Sequence, residues 1–107
     1  MEQNLVVLDK IISLVTSKIS PERIVLFGSY ARGDNTEKSD MDILIIIKDL
    51  VNERKVTGSL YRALLDENIA IPVDFIAIDY EKYNAKKNKI GYIYRTIERE
   101  GKIIYGK

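Results

Sequence analysis

A small mixed β-sheet with flanking helices is the α/β fold class that this sequence predicts, and three observations point to it. Three short segments rich in β-branched residues, Arg23–Phe27, Met41–Lys48 and Ile71–Ile78, read as strands. Two longer segments, 5–19 and 53–68, repeat apolar residues at three- and four-residue steps and read as helices. The connections differ in kind. The first two strands are joined without a crossover helix and should be antiparallel; the second and third are joined through one and should be parallel.

Taken in order, Leu5, Leu8, Ile12, Val15 and Ile19 form the expected buried stripe of the first helix, with Asn4 as its cap and Ser20-Pro21 as its stop. Arg23–Phe27 is closed by Gly28, and Gly28–Ser39 is a loop with room for one helical turn from Ser29. Met41–Lys48 contains the unbroken run Ile43–Ile47, which suits a central strand covered on both faces. The second helix, from Glu53 to Asn68, tolerates Gly58. Pro72 stands near the start of the third strand, where a missing donor costs least. Asp79–Lys89 and Tyr92–Glu100 read as helices, the latter stopped by Gly101, and Lys102–Tyr105 as a final edge strand.

The whole chain, 1–107, reads as one domain: 107 residues with 46% hydrophobic content support one core and leave no linker or repeat. The absence of Cys excludes disulfide frameworks, thiolate metal sites and cysteine nucleophiles, and the absence of His excludes imidazole bases and His-ligated zinc. With 17 basic and 16 acidic residues, the net charge of +1 provides no bulk attraction to nucleic acid or an anionic membrane, and neither is an expected partner. No export signal opens the chain and no apolar run could span a bilayer, so a cytoplasmic setting is expected.

Acidic residues carry the functional argument. Asp40 and Asp42, two apart in the expected second strand, should project from one face about 6 to 7 Å apart along the backbone. Asp74 interrupts the apolar segment Val73–Ile76, where an unpaired charge is costly to bury. The topology brings these three acids to the edge of the sheet where Gly28 ends the first strand. Three carboxylates without His or Cys make a hard oxygen site suited to Mg²⁺ or Mn²⁺. Gly28 permits close approach of a phosphate, and Ser29 offers a hydroxyl and an N–H at a helix start. Together they read as a nucleoside triphosphate site.

Gly28-Ser29, ten further residues, Asp40-Met41-Asp42 and then a lone Asp74 in the next strand resemble the DNA polymerase beta-like nucleotidyltransferase superfamily. The fuller string GSYARGDNTEKSDMDILI, with the ending IEREGKIIYGK, is similar to the minimal nucleotidyltransferases, the MntA-type antitoxins paired with HEPN toxins. The resemblance implies a polymerase beta-like palm fold. It also implies that Gly28 and Ser29 bind the triphosphate, that Asp40 and Asp42 share two Mg²⁺ ions, and that Asp74 is the third acid near the attacking hydroxyl. The implied reaction moves AMP from ATP to a hydroxyl, best a tyrosine of a HEPN toxin, and releases pyrophosphate. Two other readings stay open: an antitoxin that neutralises its partner by binding alone, and a nucleotidyltransferase of small molecules.

Other features have plainer explanations. Arg32 serves equally as a phosphate contact or as a partner of Asp34. Lys82, Lys86, Lys87 and Lys89 read first as a solvated helix face, and the seven tyrosines, Tyr61 among them, as core-edge packing.

Overall fold

Segments rich in branched apolar residues become the four strands of a computed structural model that describes residues 2–107. The elements are α1 (Glu2–Lys18), β1 (Arg23–Phe27), α2 (Ser29–Arg32), β2 (Met41–Ile47) and α3 (Glu53–Leu64), followed by β3 (Val73–Asp79), α4 (Tyr80–Lys86), α5 (Ile93–Glu100) and β4 (Lys102–Gly106). One sheet has the order β3-β2-β1-β4. β1 lies antiparallel to β2 and to β4, while β2 and β3 are parallel, as the connections predict. The long isoleucine run makes β2 an inner strand, with residues 43 to 46 buried.

Strand alternation divides the core between the two faces of the sheet. Ile24, Ile43 and Ile45 meet Val7, Ile11 and Leu14 of α1 and Leu60 of α3. Val25, Phe27, Leu44 and Ile46 meet Tyr83 of α4 and Ile97 of α5. Gly101 lets α5 settle on β1: a Cβ there would stand 2.5 Å from the Ile97 carbonyl oxygen and 2.6 Å from Val25 Cγ1. Among the described residues, no helix is long and apolar enough to cross a membrane.

Several sequence expectations change in detail. The first helix begins at Glu2, so Asn4 lies inside it rather than capping it. Its most buried positions are Val7, Ile11, Leu14 and Val15; of the expected stripe, Leu8, Ile12 and Ile19 are half-buried and Leu5 is exposed. Apolar residues occur around most of this helix, so periodicity alone admits both faces and the packing against the sheet selects one. α3 ends at Leu64 rather than Asn68 because the N–H groups of Leu65, Asp66 and Glu67 turn back to carbonyls only three residues earlier. β3 starts at Val73 rather than Ile71, α4 stops at Lys86 rather than Lys89, and α5 starts at Ile93 rather than Tyr92.

The basic cluster lies on and just beyond α4, where Lys86 Nζ rests 5.0 Å from the centre of the Tyr92 ring. The start of α4 is tied down by Asp79. Its carboxylate accepts from Leu50 N–H at 3.0 Å, Glu81 N–H at 3.1 Å and Lys82 N–H at 3.3 Å. Burial alone would raise this carboxyl, but the three backbone donors outweigh it and hold it below the ordinary carboxylate range. A carboxyl depressed in the folded state adds stability above its unfolded pKa and loses it as pH falls through the folded value. Asp79→Asn keeps a capping oxygen without the charge. It is expected to lose less stability between about pH 7 and pH 3 than the parent chain, measured as urea midpoints at both.

Candidate active site

Three backbone features gather the acids. The parallel register places Asp42 directly beside Asp74, and Met41 N–H donates to the Pro72 carbonyl at 2.8 Å, locking the two strand starts in line. The antiparallel register places Asp42 opposite Phe27, the last residue before Gly28. Gly28 then turns the chain with φ 75° and ψ −155°, and its carbonyl accepts from Ala31 and Arg32 N–H at 3.1 Å each. This backbone conformation is open essentially to glycine alone.

The reason for Gly28 is also spatial. A Cβ on it would fall 2.2 Å from Asp42 Oδ2, so the missing side chain is the space that the carboxylate occupies. Ser29 opens α2, and the first N–H groups of a helix have no acceptor within it. Gly28, Ser29 and Asp42 share a cavity of about 360 Å³ whose apolar wall includes Phe27, Ile93 and Ile97.

Asp42 is half-buried, whereas Asp40 and Asp74 are exposed. Desolvation raises the Asp42 carboxyl above the ordinary range, the neighbouring charges of Asp74 and Asp40 raise it further, and Arg32 lowers it. Asp40 lies immediately before β2 rather than within it, correcting the expectation of two acids on one strand. Its charge nevertheless acts on Asp42, behind desolvation and the charge of Asp74. The turn before it is closed by Thr36 N–H donating to Ser39 Oγ at 2.8 Å.

Arg32 lines the cavity but is engaged: its Nε is 3.2 Å from Asp34 Oδ2 and its Nη1 3.7 Å from Glu100 Oε2. Of the two readings of Arg32, the pair with Asp34 is present, and Glu100 joins it.

Tyr61 is the residue that sequence reasoning left as core-edge packing. Its hydroxyl donates to Asp74 Oδ1 at 2.9 Å and accepts from Phe75 N–H at 2.8 Å. Its ring meets Phe75 edge-on, 5.2 Å between centres. β3 is an edge strand, so this hydroxyl fills the place of a ladder partner and orients Asp74 at once. A larger, mainly apolar cavity of about 630 Å³ is lined by Tyr61 with Leu64, Leu65, Ile71 and Pro72, and none of the three aspartates lines it.

The donor set suits a hard divalent cation: all three groups are carboxylates, and mutual repulsion around the half-buried Asp42 is a charge that a cation would offset. Among the described residues, no three acidic side chains close a cage by themselves. The registered pair Asp42 and Asp74 suits a cation that takes one or two carboxylates and completes its shell with water and phosphate oxygens, as Mg²⁺ does.

Comparison with known proteins gives the family and the fold. A family model described as a nucleotidyltransferase domain matches residues 8–104. The chain is 38% identical over 84 residues, 78% of each chain, to a protein of Methanocaldococcus jannaschii provisionally named a protein adenylyltransferase. Two crystal structures share the fold. One is a toxin–antitoxin with AMP-PNP, with TM-score 0.62 and 24% identity, covering 94% of this chain and 73% of that one. The other is a toxin–antitoxin MntA–HpeT mutant, with TM-score 0.63, 22% identity and the same coverages of 94% and 73%.

Proposed function

Because this chain belongs to the nucleotidyltransferase domain family, we propose that it transfers the adenylyl group of ATP to a tyrosine hydroxyl of a HEPN toxin, acting as that toxin's antitoxin. The observation that carries the reading is the registered pair Asp42 and Asp74, with the Asp42 carboxylate seated against the Gly28 turn. The similarity to a relative named as a protein adenylyltransferase supports a protein acceptor. The likeness in fold to a toxin–antitoxin containing AMP-PNP is compatible with an adenine nucleotide and a toxin partner.

In this reading Gly28 lets the Asp42 carboxylate close against the turn that borders the triphosphate, and Ser29 offers its N–H and hydroxyl to phosphate oxygens. Asp40 and Asp42 would hold two Mg²⁺ ions, with Asp74 as the third acid. When bound, such ions supply charge stabilisation to the attacking and leaving oxygens of an in-line displacement at phosphorus. Asp74 receives the proton of the acceptor hydroxyl, so the chain needs no imidazole base. The Tyr61 hydroxyl holds Asp74 in orientation. Phe27, Ile93 and Ile97 form an apolar wall for the less polar part of the nucleotide. Arg32 lines the cavity paired with Asp34 and Glu100, and it would exchange these partners to meet a phosphate.

The test is to copurify the chain with the product of its neighbouring gene, add Mg-ATP and weigh the intact partner. The expected result is a gain of one or more AMP units on the partner, abolished when its acceptor tyrosine becomes phenylalanine. A tight complex whose partner never gains mass would mean neutralisation by contact, contrary to this proposal.

A further inference from the structure

We propose that Tyr61 is itself an acceptor, so that the chain adenylylates its own Tyr61 when no partner tyrosine fills the site. This inference rests on the adenylyl-transfer reading above. The chemistry asks for a phenolic hydroxyl whose proton is aimed at a carboxylate of the cluster, and Tyr61 has that arrangement: its hydroxyl donates to Asp74 Oδ1 at 2.9 Å. Phe75 N–H donates to the Tyr61 hydroxyl oxygen at 2.8 Å, which fixes that oxygen in place and leaves its other lone pair for attack.

The edge-on contact with Phe75 holds the ring, yet the residue keeps 37% of its surface exposed. Asp74 in turn sits beside Asp42, which lines the cavity with Gly28 and Ser29. Among the described residues, Tyr61 is the tyrosine whose hydroxyl bonds to one of the three acids; Tyr83, for comparison, bonds to Glu98.

The step balances without another reagent. A bond forms between Tyr61 Oη and the α-phosphorus of ATP, and the bond from that phosphorus to the oxygen bridging to the β-phosphate breaks. Its electron pair leaves on pyrophosphate, and the phenolic proton passes to Asp74. A modified Tyr61 no longer donates to Asp74 and places an AMP group at the acceptor position, so self-adenylylation would slow transfer to a partner.

The test incubates the purified chain alone with Mg-ATP, weighs it intact and maps the modified residue by fragmentation. The expected result is a gain of one AMP unit on Tyr61, with none in Asp42→Asn and none in a Tyr61→Phe chain whose thermal melt shows it folded. Modification of another residue, or equal modification of the Tyr61→Phe chain, would overturn the proposal. So would an unmodified chain that in a parallel reaction loads AMP onto its copurified partner, an outcome that leaves the transfer function standing. A chain that modifies neither itself nor its partner would overturn both.

Discussion

Asp42→Asn is expected to lower adenylyl transfer at least about 10²- to 10³-fold while leaving the chain folded, because one of the charges proposed to hold the cations disappears without change of shape. Its effect on the metal-free protein runs the other way. Asp42 is half-buried and carries a carboxyl raised by desolvation and then by Asp74 and Asp40. A folded-state pKa above the unfolded value means that the folded chain binds more protons between the two. Stability therefore falls as pH rises from the ordinary carboxylate range through the raised value. Asparagine removes that slope, so the variant should be at least as stable as the parent at neutral pH without metal. Thermal melts across pH and initial rates with Mg-ATP read the two effects separately. A variant that melts well below the parent at neutral pH would place Asp42 among the groups that hold the fold together.

Gly28→Ala should damage both fold and reaction. The added Cβ would require φ 75° and ψ −155°, a region costly to any residue but glycine, and would press on Asp42 Oδ2 from 2.2 Å. The strain costs about 1 to 3 kcal/mol. Relief has two routes: the turn opens, or Asp42 moves away from the cavity. Either displaces the carboxylate from the triphosphate pair, so transfer should fall even in protein that remains folded. Denaturant titration checks the first effect, and rate per folded molecule the second. An alanine variant with parental stability and rate would show that the close approach of Gly28 to Asp42 has no functional weight.

The parts of the fold most legible in the sequence were those set by local chemistry. The isoleucine run of β2 could only be an inner strand, and the short link from β1 to β2 against the helical link to β3 gave both strand directions. The positions of Gly28, Ser29, Asp40, Asp42 and Asp74 at one edge followed from that topology. The buried face of α1 did not, because Leu5, Val7, Leu8, Ile11 and Ile12 offer apolar groups in several directions and the sheet decides among them. Nor did Tyr61. Its two hydrogen bonds reach 13 and 14 residues along the chain and exist because β3 has an open edge, a fact of strand order that no local spacing records. Asp40 was displaced from the strand for a related reason: the Thr36–Ser39 turn closes just before it, and pairing begins at Met41.

The most direct test of the account is a crystal structure of the chain with Mg²⁺ and a non-hydrolysable ATP analogue. The expected result is a triphosphate lying against the Gly28-Ser29 backbone, with cations bound by Asp40 and Asp42 and the α-phosphorus turned toward Asp74. A nucleotide seated in the apolar cavity lined by Tyr61, with no cation on Asp42, would contradict it.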